Sequence, residues 1–257
     1  MSSEDILNKP QPAPDERVSY GADAQQFVEV RLPRSSGLHA GLINIHGGYW
    51  RAKYDLAHTG HLCEALRAAG VATFNVEYRR VGNAGGGWPG TFDDIRAAYR
   101  LVQQQAARFR IDAARAAVMG HSAGAQLALC LAAHEPLVRG VISLAGVLDL
   151  KKAYALHLSN DAVVEFLGGK PDAVPEHYRE ADPMELAIPQ ARQWILCGKD
   201  DDVVPPEFSR EYVRYKTSAK KENAELVEIA GAGHFELIDP SSEAFARVRN
   251  AVMAAVA

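Results

Sequence analysis

The chain has 257 residues, 47% of them hydrophobic and 23% charged, which provides for a large buried core and excludes a disordered or fibrous polymer. The formal net charge is −4 and no run of Lys or Arg exceeds two residues, which argues against nucleic-acid binding and a polybasic membrane patch. No apolar stretch reaches the roughly 18 residues that a transmembrane helix needs, and the acidic, proline-bearing start does not read as a secretory leader.

Cys63, Cys130 and Cys197 are far apart and each lies in an apolar stretch, so they read as reduced core thiols, and a cytoplasmic location is expected. Residues 1–18, rich in proline and polar groups, read as a flexible arm, leaving 19–257 as one domain.

In chain order, QFVEVRL (26–32) and GLINIH (41–46) read as strands, and LAHTGHLCEALRAAG (56–70) as a helix closed by Gly70. VATFNVEY (71–78) is a buried strand. The segment 91–109 is a helix with Asp93 and Asp94 in its first turn, where the dipole favours anions. RAAVMG (115–120), GVISLAG (140–146), QWILCG (193–198) and AELVEIAG (224–231) follow as strands. The segments 122–133, 205–219 and 241–257 read as helices between and after them. Strands alternating with helices predict an α/β fold, a mostly parallel central sheet covered on both faces. The interval 151–190 has helical fragments but no convincing strand, and reads as a small cap insertion.

The strongest chemical signal is Gly120-His121-Ser122-Ala123-Gly124, which follows an apolar strand and opens a helix. That context fits a nucleophile elbow, a sharp turn that lifts a serine oxygen above the sheet and brings the Ala123 amide toward developing negative charge. A serine hydroxyl needs a base and an orienting acid, expected in the order Ser, acid, His. The cluster Asp200-Asp201-Asp202 follows one strand, and His234 follows another in AGAGHF, a glycine-rich loop that reads as mobile. Each alone also fits an ordinary solvated turn; the order and the strand ends join them. At the end of GLINIH, His46-Gly47-Gly48-Tyr49-Trp50 has glycines that let backbone amides approach a ligand closely.

Together HGGYW, GHSAG, GKDDDVVP and GAGHF make the sequence resemble the α/β-hydrolase superfamily, in its kynurenine formamidase and hormone-sensitive-lipase-like esterase branches. The resemblance implies the α/β-hydrolase fold, Ser122 as nucleophile, His234 as base and Asp201 as acid, the last because the family pattern places the acid three residues after a glycine such as Gly198. It also implies an oxyanion hole from the amides of Gly48, Tyr49 and Ala123. Trp50, Trp88 and Phe235 are candidate substrate-binding aromatics, equally readable as plain hydrophobic lining.

The expected reaction is cleavage of a small carboxylic ester or aryl-formamide through an acyl-enzyme, with no cofactor and no metal. Gly85-Gly86-Gly87-Trp88-Pro89-Gly90 formally matches a dinucleotide fingerprint, but it is set off from the preceding strand and Pro89 lacks an amide. His58 and His61 lack a carboxylate at metal-motif spacing. The rival of another class is a non-catalytic small-molecule-binding protein on the same fold.

Overall fold

The computed structural model describes residues 3–257. Strands β3 (His39–Ile45) and β4 (Val71–Val76) are buried at every residue, as expected when helices cover both faces of a parallel sheet. Their side chains alternate between two cores. Ile43 and Ile45 join Phe74, Val76 and Val118 on one face; Ala40 and Leu42 join Val71, Ala117 and Met119 on the other.

The sheet has eight strands in the order β1-β2-β4-β3-β5-β6-β7-β8. Strands β5 (Ile111–His121), β6 (Gly140–Leu144), β7 (Arg192–Gly198) and β8 (Ala224–Ile229) continue the parallel run from β3. β1 (Glu16–Ser19) and β2 (Phe27–Arg31) are antiparallel at one edge.

Helices α1 (Gly60–Ala68) and α8 (Phe245–Ala255) pack Leu62, Leu66, Val248 and Val252 into one core. The other core takes Ile95 and Ala98 of α2 (Gly90–Gln104), Leu127 of α3 (Ala123–His134) and Phe208 and Tyr212 of α7 (Glu207–Ser218). Parallel strands end on the same side, so the loops after β3, β5, β7 and β8 gather at one edge. Among the described residues no helix is long and apolar enough to cross a membrane.

The expectation of a flexible arm over residues 1–18 is corrected; residues 1–2 lie outside the described residues. A 3₁₀ turn over Ser3–Leu7 seats Ile6, 2% exposed, in the core with α1 and α8. Glu16–Ser19 pairs with β2 as an edge strand. Its alternating half-buried and exposed residues give an edge strand the polar composition that reads as an arm. Buried Arg31 fastens the intervening chain by donating to the Pro12 carbonyl (2.7 Å) and ion-pairs with Glu29 (3.2 Å).

The interval 151–190 holds α4 (Leu150–Ala155, which begins one residue before it), α5 (Ala162–Leu167) and α6 (Pro175–Ala181), and no strand. These pack Val163, Phe166 and Tyr178 into the core shared with α3.

Candidate active site

Ser122 links β5 to α3 with φ 55° and ψ −120°, a conformation that costs a residue with a side chain about 1–3 kcal/mol. The surroundings hold it there. Its amide donates to the Leu144 carbonyl (2.8 Å), and its carbonyl accepts from the amides of Ala125 (3.1 Å) and Val147 (3.3 Å). The flanking glycines are required by space: a Cβ on Gly120 would run into the Gly124 carbonyl, and one on Gly124 into the carbonyls of Ile45 and His46. Gly124→Ala is therefore expected to destabilise the fold by ~3 kcal/mol or more, through backbone that has no rotamer with which to yield. A urea midpoint within error of the parent contradicts this.

The loop after β7 brings in Asp201 and the loop after β8 brings in His234. Asp201 Oδ2 accepts from His234 Nδ1 at 2.8 Å, while Oδ1 accepts the amides of Val203 (2.9 Å) and Val204 (2.8 Å). Asp200 and Asp202 are exposed on the same turn. With Nδ1–H directed at Asp201, Nε2 is left as the acceptor nitrogen of the ring. The histidine loop packs closely against the end of β7, while its Gly231 (φ 71°) supplies a left-handed turn with open space around it. A Cβ on Gly198 would meet the carbonyls of Ala232 and Gly233, the Asp200 amide donates to Ala232 (3.0 Å), and the Gly233 amide donates to Glu236 (3.0 Å).

After β3 the chain turns through Gly48 (φ 114°), Tyr49 (φ 51°) and Trp50 (φ 56°). Among the described residues, no backbone acceptor takes the amides of Gly48, Tyr49 or Ala123. The Tyr49 hydroxyl donates to the Val203 carbonyl (3.0 Å), tying this turn to the Asp201 loop. Burial, followed by the Asp201 charge, pushes that hydroxyl up to about 12, so it stays a donor.

Beneath the turn lies a buried polar cluster that the sequence reading missed. His46 Nδ1 donates to the Gly47 carbonyl (2.7 Å), and its Nε2 lies 3.2 Å from Glu77 Oε1. Glu77 also pairs with Arg80 (2.7 Å) and accepts the amides of Leu56 (3.0 Å) and Tyr78 (3.1 Å), and Arg80 reaches the Tyr54 carbonyl. Burial pushes the Glu77 carboxyl up, but His46, Arg80 and the Leu56 amide outweigh it and hold it below the usual range.

A depressed folded value means that Glu77 adds stability above its unfolded pKa and loses it as pH falls through the folded one. Glu77→Gln leaves Arg80 buried without its counter-charge, an expected loss of about 3 kcal/mol. The gap between parent and variant is expected to narrow from about pH 6 to about pH 4, read as urea midpoints at both values. A gap that is constant or widens with acid contradicts the assignment.

Ser122, His234, Gly48, Tyr49 and Phe235 line one cavity of 280 Å³, and Asp201 lies behind His234. Glu4, Leu7, Tyr54, His58, His121 and Val203 complete the lining. His121 is the residue before Ser122. Its Nε2 donates to the His234 carbonyl (3.1 Å), and the two rings lie 4.6 Å apart. Burial, and then His234, keep His121 far below an ordinary histidine, hence neutral beside the proposed base.

Two substrate-binding candidates are corrected. Trp50 is 1% exposed, stacked on Phe166 at 4.6 Å, with its Nε1 donating to Gln126 (2.9 Å). Trp88 stacks on Phe92 (5.3 Å) and its amide donates to the Phe166 carbonyl (2.8 Å). The glycine-rich loop before α2 thus anchors α5, and no residue of 151–190 lines the cavity. Of the two histidines three apart, His58 faces the cavity while His61 Nε2 donates to the Pro10 carbonyl (2.9 Å).

Known proteins share this architecture. The chain is 26% identical over 265 residues to Esterase LipC of Mycobacterium tuberculosis, covering 92% of this chain and 64% of that protein. It is 24% identical over 185 residues to the Kynurenine formamidase of Meyerozyma guilliermondii, covering 67% of this chain and 66% of that one. The chain thus spans slightly under two thirds of the length of each. Among solved structures, a truncated carbohydrate esterase from gut microbiota superposes with a TM-score of 0.81 at 21% identity, over 95% of this chain and 99% of that one. An esterase from Pyrobaculum calidifontis superposes with a TM-score of 0.78 at 18% identity, over 99% and 89%. The BD-FAE family model matches residues 29–215, taking in the Gly47–Tyr49 turn, the Ser122 elbow and the Asp201 loop. The chain belongs to the BD-FAE family, within the α/β-hydrolase fold.

Proposed function

We propose that the chain is a serine hydrolase that cleaves small carboxylic esters through an acyl-enzyme. One observation carries the reading: Ser122, held at positive φ on a strand-to-helix turn, shares a cavity with a histidine whose Nδ1 is engaged by a buried carboxylate. In this mechanism His234 Nε2 takes the Ser122 proton as the oxygen attacks the carbonyl carbon. The amides of Gly48, Tyr49 and Ala123 receive the oxyanion. His234 then protonates the leaving alcohol and activates the water that hydrolyses the acyl-serine.

Esterase LipC and the esterases among the superposed structures support an ester substrate. A second substrate, an aryl-formamide, is favoured by the two-glycine HGGYW turn and by the kynurenine formamidase relative. Initial rates on para-nitrophenyl acetate and on an uncharged aryl-formamide, para-nitroformanilide, separate the two. Labelling by a fluorophosphonate tests both against a non-catalytic binder: modification at Ser122 is expected, and an inert Ser122 in folded protein refutes a hydrolase.

A further inference from the structure

We propose that the cavity selects uncharged esters and turns away substrates with a carboxylate near the scissile carbonyl, through the walls formed by Leu7, Tyr54, His58 and Phe235. The inference rests on Ser122 acting as the nucleophile and adds the charge class of the substrate. Among the described lining residues there is no Lys or Arg.

Two of the lining histidines, His58 and His121, bring no positive charge. His58 is 6% exposed, and burial, followed by the neighbouring His46 ring, lowers it to about 3. His121 is held neutral as well. Behind His234 stands the Asp201 carboxylate, 2.8 Å from the ring.

The described cations nearby, Arg80, Arg51 and Lys53, are engaged elsewhere. Arg80 pairs with Glu77 at 2.7 Å, Arg51 with Glu165 at 2.7 Å, and the exposed Lys53 ammonium sits 5.3 Å over the Tyr54 ring without lining the cavity. A carboxylate entering a cavity of 280 Å³ therefore gives up water without a described Lys or Arg in the lining to replace it, and the amides of Gly48, Tyr49 and Ala123 are taken up by the scissile carbonyl oxygen. An uncharged acyl or alcohol group loses far less on entry. On this account aryl-formamides are good substrates only when they lack a free carboxylate.

The test compares three acetate esters on the full-length enzyme: methyl para-acetoxybenzoate, para-acetoxybenzamide and para-acetoxybenzoate. Each kcat/KM is divided by that ester's hydroxide-catalysed rate, which removes differences in leaving-group reactivity. The methyl ester and the amide are expected to exceed the anion by about 30-fold or more, roughly 2 kcal/mol. Leu7→Arg, which places a cation on the wall, is expected to narrow the gap by ~10-fold.

Equal normalised constants for all three esters overturn the proposal, and so does an amide as poor as the anion, because selection then follows polarity and not charge. A folded Leu7→Arg enzyme with an unchanged ratio also overturns it. An enzyme that turns over none of them and resists fluorophosphonate has lost the nucleophile reading itself, and this proposal with it.

Discussion

Ser122→Ala is expected to lower kcat by about 10⁴–10⁶-fold while leaving the fold intact. The side chain makes no contact on which the elbow depends: the turn is held through the Ser122 amide and carbonyl, which bond to Leu144, Ala125 and Val147. Alanine keeps the φ of 55° and hence the strain, whereas glycine sheds it. Ser122→Gly is therefore expected to melt at or above Ser122→Ala while being equally inactive, because relief of about 1–3 kcal/mol offsets the extra chain entropy of glycine. Near-parental turnover by purified Ser122→Ala defeats the mechanism. A glycine variant that melts several degrees below the alanine one defeats the account of strain.

The second large effect is Asp201→Asn, expected to lower kcat by about 10³–10⁴-fold with KM little changed. Asp201 divides its two oxygens between the His234 ring and the amides of Val203 and Val204. Asparagine has a single oxygen, and with two amides to satisfy it turns that oxygen toward Val203 and Val204. Its NH₂ then faces Nδ1, which accepts only if the ring proton moves to Nε2. The nitrogen that should take the serine proton is then already protonated. Asp200→Asn and Asp202→Asn, on exposed residues of the same turn, are expected to retain activity within a few-fold of the parent. Steady-state kinetics of the three variants check the assignment, and equal losses in all three contradict it.

Much of this was legible in the sequence for physical reasons. Buried parallel strands are continuous apolar runs, so GLINIH and QWILCG stand out, and a helix buried all round, such as α3, carries no polar stripe to blur it. The elbow shows because a strand, a serine between small residues and a helix must be contiguous to form it. The choice among the three aspartates rested on a family pattern; hydrogen bonds set Asp201 apart, since it alone turns inward to His234.

Other features leave no local trace. Glu77 and Arg80 look like surface charges until the fold buries them together. Trp50 and Trp88 stand beside glycines at a strand end and a loop, where backbone dihedrals decide whether an indole faces a cavity or the core, and both turn to Phe166. β1 has too few apolar residues to announce itself, and nothing near Leu7 signals that it lines the same cavity as a serine far along the chain.

The 3₁₀ turn over Ser3–Leu7 gives one wall to the cavity although it precedes every strand of the sheet. Ile6 anchors it in the core, Leu7 packs against that core at its margin, and Glu4 and Leu7 line the cavity. Part of the cavity wall is thereby carried by a stretch of chain remote in sequence from Ser122, Asp201 and His234. Substitutions at Leu7 therefore alter the shape and chemistry of one wall without touching the loops that hold Ser122, Asp201 and His234.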